Sequence, residues 1–240
     1  MQAPPIPDRP YALLLDLDGS LIELAPSPEQ IHVSSTLLAL LRTLHQQLHG
    51  AVACISGRSY SNLNTWLGPA GIDLVGSHGA ELGAALVPDG RWHAWAAQCQ
   101  RDVGRQWPSL LIEVKPQGMA IHWRQCLDAE PWVRQWVAQH LTDYPTHHHT
   151  DGKCVVEVHA AHGDKGDAVN RLMQTTRYAG RLPIYIGDDT TDLAAFAAVK
   201  TFGGWAVAIG SKIAAAADFM LPHPNACEQW LQQLSASLAT

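Results

Sequence analysis

The stretch "YALLLDLDGSL", residues 11–21, decides how the chain reads. Its apolar run, entered after Pro10 and closed before Gly19, has the pattern of a strand covered on both faces in a parallel sheet. Buried strands rarely end in acids without a use for them, yet this one ends in Asp16 and Asp18. Side chains two residues apart in an extended segment share a side, so both carboxylates can face one cavity at the carboxyl edge of the sheet. Open α/β sheets bind their ligands at that edge.

Outward from this strand the pattern alternates. "SSTLLALLRTLHQQLHG" carries Leu37, Leu41, Leu44 and Leu48 on one helical stripe, with Ser34 or Ser35 able to cap it and Gly50 able to end it. A strand ("AVACIS"), a short helix near 59–67 and a third strand ("IDLVGSHG") follow. The expected class is therefore α/β, with a Rossmann-like, doubly wound parallel-sheet core. From about residue 84 the pattern changes to local pairing. "GRWHAW" reads as a strand, a helix is expected over 94–106, and two hairpins ("SLLIEVKPQGMAIHWR" and "THHHTDGKCVVEVHA") flank a helix near 129–141. The alternation resumes with a helix over 165–176, "LPIYIGDD" and "TDLAAFAAV". The expected organisation is a core of 1–83 plus 161–240 with an α+β unit, 84–160, inserted as a cap.

Composition narrows the function. The chain has 240 residues, 47% of them hydrophobic, which is enough for a real core. A net charge of −6 speaks against a general nucleic-acid binder. The odd set of five cysteines has no CxxC spacing, which favours a reducing compartment without a zinc site. The N-terminal sequence does not read as a signal peptide and no long apolar run occurs, so a cytoplasmic protein away from membranes is expected, acting as a monomer.

A second acidic cluster, "IGDDTTD" with Asp188, Asp189 and Asp192, closes another apolar strand. Folding could bring the two clusters together, and carboxylates that close repel unless a cation lies between them; oxygen-only ligands favour Mg²⁺. "ISGR" offers the hydroxyl of Ser56 and free amides, and "GDKGD" puts Lys165 at a helix start. A phosphoryl group there would meet the groups that spread its charge. Taken singly, each has a plainer reading: the Asp pair as a turn, Ser56 as a cap, Lys165 as a solvated helix-terminus lysine.

Together these motifs resemble the haloacid-dehalogenase-like phosphohydrolases: "DLDGS", Ser56, Lys165 and "GDDTTD" match that superfamily's four motifs in order. The resemblance implies that Asp16 attacks phosphorus to form an aspartyl-phosphate, and that Asp18 protonates the leaving alcohol and then activates water. It places phosphate on Ser56, Gly57 and Lys165. It implies Mg²⁺ held by the carboxylates of Asp16 and Asp188 and the main-chain carbonyl of Asp18, with Asp189 and Asp192 behind these ligands.

The insert addresses the substrate. Glu113 and Lys115 share one strand face, opposite Ile112 and Val114; Ala120, His122 and Arg124 oppose Met119, Ile121 and Trp123; Lys153, Glu157 and His159 oppose Cys154, Val156 and Val158. A mixed-charge face of this kind is either solvated or suited to sugar hydroxyls. The stretches "ISGRS", "GSHGAEL", "EVKPQGMAIHWR", "GKCVVEV" and "IGDDTTD" are similar to those of the trehalose-6-phosphate phosphatases. That likeness implies trehalose 6-phosphate as substrate, within trehalose biosynthesis, with Arg58, Glu113, Lys115, His122, Arg124 and Glu157 on its sugar portion and cap closure shielding the phosphoenzyme. Two departures stand out: His159 and "AAH" replace basic and Pro positions, and Leu193 stands where an acid commonly follows Asp192. Another sugar phosphate (sucrose 6-phosphate or mannosyl-3-phosphoglycerate) and a non-catalytic sugar-phosphate sensor remain as alternatives. His147, His148 and His149 are expected at the surface, because three consecutive strand residues cannot face one ion.

Overall fold

The computed structural model describes residues 2–25, 30–83, 90–103, 106–115, 118–142, 147–152, 154–160 and 164–239. It divides into two compact units, Met1–Ala85 with Asp164–Thr240, and Leu86–Gly163.

The first unit is built on a seven-stranded sheet. In chain order its strands are β1 (Tyr11–Leu15), β2 (Val52–Ile55), β3 (Asp73–Gly76), β4 (Glu81–Leu82), β9 (Leu182–Gly187), β10 (Trp205–Ile209) and β11 (Phe219–Leu221). The spatial order is β11-β10-β9-β1-β2-β3-β4, parallel throughout except for the antiparallel β3–β4 pair. This is the expected α/β class. Strand β1 lies between β2 and β9, with Leu13 opposite Val52 and Ile184. Its five residues are all buried, as a strand covered on both faces requires.

The helices of this unit are α1 (Ser35–Gln47), α2 (Tyr60–Leu67), α5 (Lys165–Met173), α6 (Leu193–Thr201) and α7 (Pro224–Leu238). α1 packs on α7 and α5 on α6. Ser34, Ser59 and Asp164 cap α1, α2 and α5 by accepting from the amides of Leu37, Asn62 and Asp167. The N-terminal segment straps the far edge of the sheet: the Met220 amide donates to the Gln2 carbonyl, and the Trp230 indole N–H to that of Pro4 at 2.9 Å.

The second unit has a four-stranded antiparallel sheet in the order β5-β6-β8-β7, from β5 (Leu111–Lys115), β6 (Gly118–His122), β7 (His147–Gly152) and β8 (Val155–Ala160). Two helices, α3 (Gly90–Val103) and α4 (Glu130–Leu141), share its core with Met119, Ile121, Trp123, Val156 and Val158. The strand expected at "GRWHAW" is not formed, because α3 already runs through it. Trp92, Trp95, Cys99 and Val103 are all buried at helical spacing, and alternation would expose every other one. The histidine tract also needs correction. His148 and His149 are exposed, but His147 lies against Trp92 and Trp95, with ring centroids 5.2 and 6.2 Å away. Among the described residues, no helix is long and apolar enough to cross a membrane.

Candidate active site

β1 delivers Asp16 at its carboxyl end, where the Asp16 amide donates to the Ile186 carbonyl of β9. The next strand over, β9, ends at Gly187 and is followed at once by Asp188 and Asp189. The two acidic clusters therefore meet because their strands are neighbours. Ligand oxygens of Asp16, Asp188 and Asp192 lie within 4.8 Å of one another.

Lys165 opens α5 beneath this group and is almost fully buried. Its ammonium donates to Asp16 Oδ1 and Asp192 Oδ1, each at 2.6 Å. Asp192 Oδ1 also accepts from the buried Tyr185 hydroxyl at 2.8 Å. Its Oδ2 accepts from the amides of Asp188 and Asp189, each at 3.0 Å. Both oxygens of Asp192 are thus taken twice, and its role in the cluster is orientation.

The protein's own groups leave this cluster short of positive charge. Burial, opposed by Lys165 and reinforced by the Asp192 and Asp188 charges, pushes Asp16 up to about 7. Burial, with the Asp192 and Asp189 charges, pushes Asp188 up to about 6. Burial pulls Lys165 down, but the charges of Asp16 and Asp192 outweigh it and raise the ammonium well above its ordinary value. A divalent cation fits such an oxygen-only donor set, with Asp16 and Asp188 as its available carboxylates.

Gly19 is required at the turn after β1. Its φ is +85°, and a Cβ there would lie 2.2 Å from Asp188 Oδ2. Asp18 points to a different cation: Arg58 donates Nε to Oδ2 at 2.6 Å and Nη2 to Oδ1 at 2.7 Å, the fork geometry of a bidentate pair. Ser56 is buried at the end of β2, and its hydroxyl accepts from the Arg58 amide at 3.2 Å. Asp189 pairs with Lys212 at 2.5 Å. Although burial raises Asp189, hydrogen bonds from Lys212 and Thr190 hold it below the ordinary carboxylate range.

The core thus brings together Asp16, Asp188, Asp192 and Lys165, with Asp18 joined to Arg58 and Asp189 to Lys212. In the second unit, Lys115 donates to Glu157 at 2.6 Å, and His122 meets Glu113 at 3.1 Å. Glu113 and Glu157 both sit opposite Ala120 on β6, so these side chains share one sheet face. Arg124 is exposed beyond the end of β6, and Lys153 lies outside the described residues. Tyr185, Glu81 and Lys212 escaped sequence reasoning. Tyr185 reads as one more apolar strand residue. Glu81 is an acid in an otherwise weakly polar stretch, which was the available signal: it is buried and accepts from the Tyr60 amide and the Ser77 hydroxyl at 2.7 and 2.8 Å.

The chain has a fold similar to that of a haloacid dehalogenase-like hydrolase from Bacteroides thetaiotaomicron, with a TM-score of 0.66 at 16% identity, covering 93% of this chain and 99% of that one. Residues 14–219 match the family model described as trehalose-phosphatase. The chain is 34% identical to the trehalose-6-phosphate phosphatase of Escherichia coli (strain K12), over 95% of this chain and 88% of that one. It is 35% identical to a probable trehalose-phosphate phosphatase of Sinorhizobium fredii (strain NBRC 101917 / NGR234), over 85% and 80%. Its fold is similar to that of Aspergillus fumigatus trehalose-6-phosphate phosphatase, with a TM-score of 0.73 at 22% identity, covering 95% of this chain and 94% of the other. The chain belongs to the trehalose-phosphatase family.

Proposed function

We propose that this protein hydrolyses trehalose 6-phosphate to trehalose and inorganic phosphate through an aspartyl-phosphate on Asp16. The observation that carries the mechanism is the buried Asp16 carboxylate, oriented through Oδ1 by an equally buried Lys165. Asp16 Oδ2 attacks phosphorus, and the bond from phosphorus to the sugar oxygen breaks. Asp18 gives that oxygen its proton, then takes one from the water that attacks the phosphoenzyme; phosphate leaves and Asp16 is restored. Because Asp18 is paired with Arg58, the guanidinium must pass to the substrate before Asp18 can carry a proton. Lys165, the Ser56 hydroxyl and the Gly57 amide take up charge on the phosphoryl oxygens. Mg²⁺, held by the carboxylates of Asp16 and Asp188 and the main-chain carbonyl of Asp18, would neutralise further charge on those oxygens. Asp189 and Asp192 act behind it, Asp192 through Lys165.

The second unit, read as the cap, supplies Glu113, Lys115, His122, Arg124 and Glu157 to the sugar, alongside Arg58. Paired acids and bases on one sheet face suit hydroxyl groups, which both donate and accept. The unpaired cysteines favour action in the cytoplasm, and the protein is read as a monomer.

The test is phosphate release from trehalose 6-phosphate beside a panel of sugar phosphates, with Mg²⁺ and with chelator, for the parent and Asp16→Asn. Release from trehalose 6-phosphate alone, lost with chelator and in the variant, is expected. Release from sucrose 6-phosphate or mannosyl-3-phosphoglycerate instead would sink the substrate, and binding without release would point to a sensor.

A further inference from the structure

Between β3 and β4 the backbone does something costly. Ser77 and His78, neither of them glycine, take φ of +49° and +56°, and Gly79 follows at +118°. Consecutive non-glycine residues in the left-handed region persist only where their surroundings over-determine them, and such strain concentrates at functional sites. Here the surroundings are the elements that carry the phosphate-binding groups. The Ser77 amide donates to the Arg58 carbonyl at 2.8 Å and the His78 amide to the Ser56 carbonyl at 2.9 Å. The Ser77 hydroxyl is tied to Glu81, which also receives the first amide of α2.

The His78 ring lies on Gly57: a Cβ added to Gly57 would sit 2.5 Å from His78 Cε1. No unusual φ sets Gly57 apart, and the imidazole is what a side chain there would meet first. On its other side the turn meets the start of α5. A Cβ on Gly79 would lie 2.3 Å from the carbonyl oxygen of Asp164, the residue before Lys165, and Arg171 of the same helix donates to the Gly79 carbonyl at 3.3 Å. One short turn therefore touches both the Ser56–Gly57–Arg58 loop and the helix that begins with Lys165.

We propose that residues 77–79 are a strained brace that sets the spacing between the phosphate loop and Lys165, with His78 as its positioning residue acting through Gly57. The inference rests on the phosphatase reading above. Its logic is that a left-handed histidine is retained at a cost in stability because the ring holds the Gly57 peptide in place, and a glycine would hold the turn but not the peptide.

His78→Gly separates the two roles. It relieves the backbone strain, so the melting temperature should stay level or rise by roughly 2 °C, while kcat should fall about tenfold with KM within about threefold. Inhibition by inorganic phosphate should follow KM and change by no more than about threefold. Gly57→Ala should also lose activity, and His78→Gly should restore part of it by clearing the space, so the double variant exceeds the product of the singles. Activity within twofold of the parent in His78→Gly would overturn the proposal. So would an activity loss that merely tracks a fall in melting temperature, or an unrescued Gly57→Ala. A parent protein that releases no phosphate from any substrate would instead defeat the phosphatase reading itself.

Discussion

Replacing Asp192 by Asn tests whether the buried carboxylate holds the site together. The carboxylate is fully buried and accepts four hydrogen bonds, two on each oxygen. An asparagine carbonyl can serve only one of those pairs. If it faces the amides of Asp188 and Asp189, its NH₂ faces Lys165 and Tyr185; the hydroxyl can turn and accept, but the ammonium cannot. The variant loses one charge-assisted bond, about 1.5–3 kcal/mol, and leaves donors facing each other in a dry site, about 1–3 kcal/mol more. A total of about 4 kcal/mol, at about 2–4 °C for each kcal/mol in a chain of this size, predicts a melting temperature lower by on the order of 10 °C. Circular dichroism melts of parent and variant at pH 7 measure it. A difference under about 2 °C would refute the reasoning, because it would mean that water or a shift of Lys165 satisfies the site at almost no cost.

Three further expectations follow from the same geometry. Gly19→Ala forces a Cβ onto Asp188 and strains the turn, so kcat/KM should fall roughly 100-fold, as ångström-scale misplacement does, while the fold survives; steady-state kinetics and a melt decide it. Trp136→Phe removes the 2.7 Å bond from the indole N–H to Asp102, which ties α4 to α3; a loss of about 1–2 kcal/mol should appear as a lower urea midpoint at unchanged slope. Burial lowers the pKa of His45, so the unfolded chain binds its proton at higher pH than the folded one. The stability this leaves intact above the ordinary histidine value of about 6.5 is lost as pH falls below it, and His45→Gln should flatten the slope of urea midpoint against pH there.

Much of the core was legible because its signals are local. Five buried residues running into two acids specify a two-sided strand and its sheet edge, and the aspartates of "IGDDTTD" close the neighbouring strand, as the pairing of β1 with β9 shows. What was hidden depends on contacts made across the fold. Nothing in "LPIYIGDD" marks the Tyr185 hydroxyl as a donor to Asp192, since apolar strands carry tyrosines freely. Nothing in "GSHGAEL" shows two left-handed residues, because serine and histidine have no local preference for that conformation strong enough to read. The misreading of "GRWHAW" came from its aromatic richness, which suits strands, whereas burial of Trp92 and Trp95 three residues apart settles the period as helical.

The bond between Lys165 and Asp16 joins residues 149 positions apart. On a ribosome adding about 5–20 residues per second, roughly 7–30 s separate the emergence of one partner from that of the other. Through that interval β1 has β2 on one side, but β9 has not yet been made. The whole second unit is synthesised meanwhile. The nascent chain therefore carries an unpaired, wholly apolar strand edge for many seconds, and its demand for chaperones falls there, after Arg58 can reach Asp18 but before Lys165 can reach Asp16.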